Sequence, residues 1–573
     1  MKNKIIKKTK AMMVTKPNLE DYSSTYKKFS WDSAKNEVEW FDGKINAAYN
    51  AIDRHTKTWW KNKVALYWED DNTSKKYTFM EMKNLSNRFA NVLKGLNIKK
   101  GDRVFIFLPR VPELYISFIG ILKTGAIAGT LFSAFGKHAL EDRLKDSGAK
   151  IVITNNELKK RVYQCKLPDL KKIIVVDAEK SQGKEISYNE EMAKASRNFS
   201  VLQMNPDDPA FMLYTSGTTG KPKGVVHCHR GIIHEHMTAK WVLDLKPGDV
   251  YWCTADPGWV TGIAYEILGS WSNGSSTVVY AGRFDPAKWY SIIEKYKVNV
   301  WYTAPTAIRM LMKAGSKLAK KYDMSSLRYL CSVGEPLNPE PIHWALKIFK
   351  KPFHDNWWQT ETGGILIANY LCMNIKPGSM GKPFPGIKAV IVDDNGKVLG
   401  RNKEGNLAMK PGWPSMMKKI WKNPKKYREY FKKGWYISGD RAFVDKDGYF
   451  WFIGRADDVI KTAGERVGPF EVESALIEHP AVIEAGVIGK PDPLRGEIIK
   501  AFVILGSGYK PSKKLEEDIK KFIKKGLAGH AYPREIEFVK NLPKTRSGKI
   551  ARRILRAREL KLPIGDTSTI EEY

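Results

Sequence analysis

The segment Tyr214-Thr-Ser-Gly-Thr-Thr-Gly-Lys-Pro-Lys-Gly224 joins the apolar run Phe211–Tyr214 to a second apolar run at Val225 and Val226. Its three glycines let the backbone bend closely around an anion. Its hydroxyl side chains and two lysines offer hydrogen bonds and positive charge. Because proline follows Lys221, a helix cannot start there, and the segment is not a Walker A loop. The pattern predicts a phosphate-binding loop between two strands.

Short β-rich runs recur on both sides of this loop, and helical patterns separate most of them. The clearest runs are Arg103–Leu108, Ile151–Thr154, Lys172–Asp177, Asp249–Cys253, Ser276–Ala281 and Val298–Thr303. Such alternation predicts an α/β fold, a large N-terminal body in which mixed sheets are covered by helices. From about Phe384 the strands become short and glycine-punctuated, which predicts a β subdomain that completes this body.

A second unit is predicted after Arg455. One helix begins at Pro469 and another at Pro511, where proline suits the first turn. The remaining predicted elements are strands at Ala485–Ile488, Ile498–Leu505 and Glu535–Val539 and a basic helix after Gly548. We therefore expect two domains, a large one at residues 1–456 and a small α+β domain at residues 457–573.

The chain carries a large positive charge. Its 96 Lys and Arg residues against 62 Asp and Glu residues give a formal net charge of +34, which suggests a polyanionic partner. Lysine pairs recur along the whole chain and do not cluster, so a uniformly basic surface is favoured and no specific nucleic-acid partner is expected. A polyanion-binding protein on a degenerate enzyme fold is the alternative from a different class.

Cysteine spacing and hydropathy indicate neither secretion nor a membrane. The five cysteines form no Cys-X-X-Cys pair and are too sparse for a disulfide framework. The basic N-terminal segment lacks the apolar core of a signal peptide, and the most apolar stretch, Leu114–Phe132, is interrupted by Lys123. We expect a soluble cytoplasmic protein with no membrane partner.

Histidines cluster just after the glycine-rich loop, in His227-Cys-His229 and His234-Glu-His236. Histidine and cysteine are common zinc ligands, but neither the HExxH motif nor a three-histidine spacing on one helix face is met. We expect these imidazoles to pack or to form hydrogen bonds.

Further segments carry side chains suited to nucleotide chemistry. They are Trp357-Trp-Gln-Thr-Glu-Thr-Gly-Gly364, Tyr436-Ile-Ser-Gly-Asp440, Gly454-Arg-Ala-Asp-Asp458 and Leu542-Pro-Lys-Thr-Arg-Ser-Gly-Lys549. Glu361 is a hard oxygen ligand of the kind that holds Mg²⁺ together with ATP phosphates. Asp440, at the end of a short strand, suits hydrogen bonds to ribose hydroxyls. Arg455 either contacts ATP or pairs with the carboxylates after it, and Lys549 stands in a basic tail where charge alone does not distinguish it.

Together with the glycine-rich loop, these segments resemble the signature motifs of the adenylate-forming enzymes, the superfamily of acyl-CoA synthetases, nonribosomal adenylation domains and luciferases. The resemblance runs from about Trp31 to the C-terminus and is strongest for acetate-activating acyl-CoA synthetases. It implies a ligase that joins acetate and ATP into acetyl-adenylate and pyrophosphate, and then transfers the acetyl group to CoA with release of AMP. Propionate or another short acid is the alternative main substrate.

The resemblance assigns roles to residues of the N-terminal body. It makes Glu361 the ligand of Mg²⁺ and gives catalytic roles to Glu361, Thr215, Arg455 and Lys549. The implied ATP-binding residues are Thr215, Ser216, Gly217, Thr218, Thr219, Gly220, Lys221, Gly334, Glu335, Pro336, Asp355, Asn356, Trp357, Trp358, Gln359, Thr360, Asp440, Arg455 and Arg466.

An acetate pocket and a mobile C-terminal domain are also implied. The pocket residues are Val260, Thr261, Val333 and Trp358. The indole of Trp358 closes the pocket floor, so each methylene beyond the fit is expected to cost about 1–3 kcal/mol.

In the implied mechanism, Lys549 bridges the substrate carboxylate and the α-phosphate, and Asp457 is the hinge at which the C-terminal domain then swings. The implied CoA-binding residues are Arg143, Thr462, Ala463, Gly464 and Lys524, the last of which replaces an arginine of longer relatives. A lysine acetyltransferase and deacetylase that act on Lys549 are implied partners. No base for the CoA thiol is evident from the sequence.

Overall fold

The computed structural model describes residues 5–9, 12–215, 222–462, 465–506, 508–526, 531–545, 549–564, 567 and 570. Within them, one large sheet has eight strands, which lie in the spatial order Lys419–Ile420, Lys223–Cys228, Pro209–Thr215, Ile127–Leu131, Arg103–Phe107, Ile151–Thr154, Lys172–Val175 and Glu185–Ser187. Its strands pair in parallel except around Lys223–Cys228, which is antiparallel to both neighbours. The two strands on either side of the glycine-rich segment therefore pair antiparallel.

A second large sheet has seven strands among the described residues. They lie in the order Phe353–His354, Tyr329–Ser332, Val300–Thr303, Val250–Cys253, Ser276–Tyr280, Val64–Glu69 and Ser74–Thr78. Only the last two strands, which form a hairpin, pair antiparallel. The parallel strands end at one edge of this sheet, and the loops that follow those ends carry many of the predicted site residues.

Alternating side chains bury both faces of each sheet. In Arg103–Phe107, Val104 and Ile106 join the central core with residues of the second sheet, whereas Phe105 and Phe107 join a separate core on the outer face. Trp252 and Trp301 belong to a third core, on the outer face of the second sheet. Helices thus lie between and outside two buried sheets, and the predicted α/β fold is confirmed.

Helices separate most of the strands of the body, as the sequence pattern predicts. They are Tyr22–Lys28, Trp31–Ala34, Ala47–Ala51, Phe79–Gly95, Pro112–Lys123, Lys137–Ser147, Lys159–Tyr163, Tyr188–Lys194, Gly231–Trp241, Gly269–Ser272, Pro286–Tyr296, Pro305–Ala314, Ser316–Ala319, Pro339–Phe349 and Pro424–Glu429. At Phe79–Gly95 a capping box is present, because Thr78 and Glu81 each accept a hydrogen bond from the other's backbone N–H.

A smaller antiparallel sheet completes the body after Phe384. It is formed by Ala389–Val392, Gly405–Met409, Trp435–Val444, Phe431–Lys432 and Phe450–Arg455. Three short strands, Asn356–Trp357, Ile367–Ala368 and Lys382–Pro383, form a further sheet near the site.

The segment after Arg455 has its own sheet and its own cores. Its strands are Ile460–Thr462, Glu465–Val467, Val482–Asp492, Gly496–Leu505 and Glu535–Phe538, and its helices are Pro469–Ile477, Lys513–Gly526 and Arg552–Glu559. The long hairpin Val482–Leu505 is the centre of this sheet, and the helix Pro469–Ile477 packs on it.

Lys123, which interrupts the most apolar stretch of the sequence, is fully buried at the end of the helix Pro112–Lys123. Its Nζ lies 2.7 Å from Asp53 Oδ2 and donates to Asn87 Oδ1 at 2.8 Å. Burial lowers the pKa of Lys123, and the Asp53 carboxylate opposes that shift. This internal ion pair ties the N-terminal segment to the first sheet.

We predict that Asp53→Asn lowers the free energy of unfolding by about 3–5 kcal/mol, because it leaves a buried ammonium without its counter-charge. The measurement is urea unfolding followed by tryptophan fluorescence. The control is Glu190→Gln, which breaks the exposed pair of Glu190 with Lys194 and should change nothing measurable. Equal losses in both variants would contradict the prediction.

Candidate active site

One large cavity, of about 2720 Å³, opens between the strand ends of the body and the C-terminal segment. It brings together most of the predicted site residues, namely Thr215, Val260, Thr261, Val333, Gly334, Glu335, Pro336, Asp355, Asn356, Trp357, Trp358, Gln359, Thr360, Glu361, Asp440, Arg455, Asp457 and Lys549. Many of them follow the carboxyl ends of parallel strands, where open α/β sheets generally bind ligands.

Several predicted residues lie outside the described part of the chain. They are Ser216, Gly217, Thr218, Thr219, Gly220 and Lys221 of the glycine-rich loop and the CoA-binding candidates Ala463 and Gly464. For Arg466 only the backbone is described, in the strand Glu465–Val467.

Glu361, the predicted metal ligand, is held at its Oε1 atom. Lys223 Nζ lies 2.9 Å from this oxygen, and the Tyr430 hydroxyl donates to it at 2.8 Å. Burial alone would raise the pKa of Glu361, but the charge and hydrogen bond of Lys223 and the Tyr430 hydroxyl bring it below its ordinary value. The ionised carboxylate leaves Oε2 for a cation, which is the donor chemistry that Mg²⁺ requires.

The loop that carries Glu361 needs glycine at position 363. Gly363 has a φ of 71°, and a Cβ there would lie 2.2 Å from the backbone oxygen of Ser415. Met417 N donates to the backbone oxygen of Glu361 at 3.0 Å. Close packing against the segment Ser415–Met417 therefore fixes the direction of the Glu361 side chain.

Asp440 is almost fully buried and accepts three hydrogen bonds. Trp357 Nε1 donates to Oδ2 at 2.9 Å, Gln359 Nε2 donates to the same oxygen at 3.2 Å, and Arg455 donates to Oδ1 at 3.2 Å. Burial raises the pKa of Asp440, and Arg455 opposes this shift most strongly. Arg455 also lies 3.6 Å from Asp457, so the pairing with carboxylates that the sequence suggested is present.

The four predicted pocket residues line one part of the cavity. Val260 and Val333 are almost fully buried, and Val333 is held by a backbone hydrogen bond to Thr303. The indole of Trp358 packs edge-on against Tyr265, with ring centroids 5.0 Å apart. This wall is small, rigid and mostly apolar.

Lys549 reaches the same cavity from the C-terminal segment. Its backbone is fixed by Thr545, whose N–H donates to the Lys549 oxygen at 2.7 Å and whose hydroxyl accepts from the Lys549 N–H at 3.1 Å. The Lys549 side chain is accessible to water in the open cavity, but the surrounding protein displaces much of its hydration and so lowers its pKa. The negative charge of Glu335 opposes this shift.

Contacts that the sequence analysis missed close the C-terminal segment over the body. Arg309 donates to Glu335 Oε2 at 2.9 Å and lies 4.0 Å from Glu484. Lys544 lies 2.8 Å from the other oxygen of Glu484. Because the four residues come from distant parts of the chain, and Arg309 and Glu484 belong to none of the motifs, sequence spacing gives no signal for these contacts.

The remaining CoA-binding candidates lie away from the lining of this cavity. Arg143 is almost fully buried, donates to the Ala139 oxygen at 2.8 Å and packs over the Phe135 ring at 4.3 Å. Two other residues of its helix, Lys137 and His138, do line the cavity.

The other two candidates belong to the C-terminal segment. Thr462 is buried at the end of the strand Ile460–Thr462, and Lys524 lies on the helix Lys513–Gly526 with its Nζ 5.5 Å from the centroid of the Tyr532 ring.

The histidines near the glycine-rich loop are buried parts of the core. His227 donates to the Ser415 oxygen at 3.1 Å, and His234 donates to the Ile365 oxygen at 2.9 Å. Burial lowers the pKa of His227 to about 4 and that of His234 to about 3. Among the described residues, no cluster of His, Cys, Asp and Glu has the geometry of a metal site.

Comparison with known families and structures is consistent with this geometry. The family model described as AMP-binding enzyme matches residues 53–421, and the model described as AMP-binding enzyme C-terminal domain matches residues 471–549. In the portion of the chain that the structure describes, no helix is long and apolar enough to cross a membrane.

Curated relatives are similar over almost the whole chain. Acetyl-coenzyme A synthetase of Bacillus subtilis is 58% identical, covering 97% of this chain and 98% of its own. Its namesake from Methanothrix thermoacetophila is 44% identical, covering 93% and 86%. An anthranilate CoA ligase solved with anthranoyl-AMP superposes with a TM-score of 0.84 at 31% identity, covering 92% of this chain and 99% of that one.

Asp355 provides a pH-dependent test of the site. Its Oδ2 accepts from Leu337 N at 3.2 Å, Oδ1 has no partner among the described residues, and burial raises its pKa to about 8. Because the folded protein keeps the proton that the unfolded chain releases, this residue's contribution to stability is present below about pH 4 and is lost as pH rises to about 8.

We predict that the free energy of unfolding of the wild type, relative to Asp355→Asn, falls between pH 5 and pH 8 and is constant above pH 8. Urea unfolding at five pH values measures it. The control is Asp142→Asn, at an exposed helix position. Its difference from the wild type in the free energy of unfolding should not change with pH. A difference for Asp355→Asn that does not change with pH would contradict the prediction.

Proposed function

Because the chain belongs to the AMP-binding enzyme family, we propose that it is an AMP-forming ligase that activates acetate with ATP and transfers the acetyl group to CoA. The observation that carries this proposal is that Lys549, Glu361 and the pocket closed by Trp358 line one cavity. The names of the similar curated proteins support acetate as the acid. The anthranoyl-AMP in the similar structure supports an acyl-adenylate intermediate.

In the first half-reaction, an acetate oxygen attacks the α-phosphorus of ATP, the bond to the bridging oxygen breaks, and pyrophosphate leaves. Asp440 accepts hydrogen bonds from the ribose hydroxyls, while the adenine side of the nucleotide is lined by Gly334, Glu335, Pro336, Asp355, Asn356 and Trp357. Lys549 lies between the acetate carboxylate and the α-phosphate. Its positive charge stabilises the negative charge that develops there, an effect that is typically worth several kcal/mol.

Glu361 would hold Mg²⁺ through its carboxylate, because it is ionised and both Lys223 and Tyr430 hold its Oε1 atom. When bound, the metal would neutralise phosphate charge. Thr215, Gln359 and Thr360 would position the phosphates with the glycine-rich loop, and Lys223 balances the Glu361 charge until ATP arrives. Arg455 and Arg466 would contact the nucleotide.

In the second half-reaction, the CoA thiol displaces AMP from the acetyl group. The domain at residues 457–573 would turn at Asp457, which withdraws Lys549 and brings Thr462 and Lys524 towards the CoA channel. On the body side, Lys137 and His138 offer the CoA phosphates positive charge and hydrogen bonds in place of the buried Arg143. We place this reaction in the cytoplasm, where ATP and CoA are available.

We predict acetate-dependent exchange of pyrophosphate with ATP in the absence of CoA, and a loss of about a hundredfold or more in Lys549→Ala, because one positioned charge near the transition state is removed. Acetylation of Lys549 by a partner acetyltransferase should have the same effect, since it removes the same charge. The control is Lys524→Ala, which should retain exchange.

Exchange led by propionate would keep the enzyme class and change the substrate. Absence of exchange with acetate, propionate, butyrate and benzoate would overturn the proposed function.

We also predict that Trp358→Ala raises butyrate-dependent exchange relative to acetate by at least about tenfold, because the indole no longer occupies the space that two further methylenes need, at about 1–3 kcal/mol each. The measurement is the ratio of kcat/KM for butyrate and acetate. Trp59→Ala, which removes an indole that is 74% exposed, should leave that ratio unchanged. If Trp358→Ala loses acetate-dependent exchange and gains no butyrate-dependent exchange, Trp358 does not form the pocket floor.

A further inference from the structure

The thioester half-reaction needs an acceptor for the thiol proton. A thiol such as that of cysteine has a pKa of about 8.5, so it is mostly protonated at neutral pH. A base that removes the proton as sulfur attacks can raise the rate by about 10²–10⁴-fold. None of the residues assigned above has this role, and the carboxylates of the cavity are the natural candidates.

Most carboxylates that line the cavity are already paired with a cation. Glu335 is paired with Arg309, Glu361 with Lys223, Asp440 and Asp457 with Arg455, Asp458 and Glu473 with Arg552, Glu484 with Lys544, and Glu429 with Lys426. Within the described residues, only Asp256 and Asp355 line the cavity without a Lys or Arg within 4.0 Å. Asp355 keeps its proton to about pH 8, which leaves Asp256.

Asp256 stands directly beside the acyl pocket. It begins the turn that connects the strand Val250–Cys253 to the helical segment at Val260 and Thr261. The turn is fixed at both ends. The Trp259 N–H donates to the backbone oxygen of Asp256 at 2.9 Å, and a Cβ at Gly262 would lie 2.6 Å from Pro257 Cα. The carboxylate therefore has a set position relative to the pocket wall.

One oxygen of this carboxylate is held and the other is available. The Gly258 N–H donates to Oδ1 at 2.7 Å. Oδ2 accepts no hydrogen bond from any described residue, and the carboxylate faces the cavity. Across the turn, Thr130 donates to the Pro257 oxygen at 2.6 Å, and Phe132 packs on Trp259 at 4.5 Å. These contacts pack the turn at Asp256 against the side of the cavity that contains Phe132, Lys137 and His138.

Arg110 and Glu266 are the charged and titratable groups that act on Asp256. Burial raises the pKa of Asp256, and the positive charge of Arg110 opposes that shift and favours the ionised form that a proton acceptor needs. Glu266, in the π-helical segment Gly262–Leu268, accepts from the Tyr115 hydroxyl at 3.0 Å, and burial raises its pKa well above its ordinary value.

We propose that Asp256 is the general base of the thioester half-reaction. Its Oδ2 accepts the thiol proton while the sulfur forms a bond to the acetyl carbon. The bond between that carbon and the adenylate oxygen breaks, AMP leaves with the electron pair, and Asp256 then returns the proton to water in the open cavity. The inference rests on the proposed function, and it adds the residue that the second step requires.

The test separates the two half-reactions in Asp256→Asn. Acetate-dependent exchange of pyrophosphate with ATP, without CoA, should stay within about threefold of the wild type. Single-turnover transfer from enzyme-bound acetyl-adenylate to saturating CoA should fall at least about a hundredfold at pH 7. Below the thiol pKa, the remaining rate should rise about tenfold per pH unit, because only pre-formed thiolate then reacts. Asp256→Glu should recover at least tenfold over the Asn variant.

Glu266→Gln is the matched control, because it replaces the neighbouring carboxyl group, which accepts from the Tyr115 hydroxyl, by an amide of similar size, and both half-reactions should persist. Three outcomes would overturn the proposal. They are unchanged transfer in Asp256→Asn, a change in CoA affinity alone in that variant, and loss of both half-reactions in Asp256→Asn and Asp256→Glu alike. Absence of exchange in the wild type would instead count against the proposed function.

Discussion

The site depends on the charged contact that closes the C-terminal segment over the two large sheets. Arg309 binds Glu335 on the body and lies within reach of Glu484 on the C-terminal hairpin, where Lys544 provides a second cation. These side chains are mostly shielded from water, so their attraction is stronger than that of exposed pairs. Without this closure, Lys549 would be one more basic side chain of the tail. With it, the ammonium faces the same cavity as Glu361 and Asp440.

Closure of this kind suits the proposed function, in which the two parts would separate between reaction steps. Each of the two parts has its own hydrophobic cores, and the contacts between them combine polar pairs, such as Asn338 with Ser474, and an aromatic contact of Phe452 with Phe470, whose ring centroids are 5.9 Å apart. Polar contacts can exchange protein partners for water at little net cost, whereas an apolar interface would resist opening. The pairs of Arg455 with Asp440 and Asp457 lie where the chain passes from one part to the other.

The fold could be predicted because its signals are local. The run Ile151–Thr154 is a strand with the expected bounds, and the helix Pro469–Ile477 begins at the proline that predicted it. The site was harder to predict where it depends on distant partners. Lys223 and Tyr430 approach Glu361 only because three segments meet in space. Arg143 shows the opposite case. The sequence predicted that it contacts CoA, but its guanidinium packs over the Phe135 ring and lies away from the cavity.

In the proposed function, the distribution of charge inside the cavity separates the two chemical steps. Forming an acyl-adenylate requires cations around the α-phosphate, and Lys549 would supply one from the C-terminal segment. Attack by a thiol requires instead a carboxylate with an oxygen that is free to accept a proton. If a cation of the first step paired with this carboxylate, it would stabilise the ionised form and weaken the group as a base. Asp256 avoids this because it lies on the pocket wall without an ion-pair partner, with Arg110 acting on it only from beyond contact distance. Opposite electrostatic needs are thus met on different walls of one cavity, which lets a single acyl site serve both reactions.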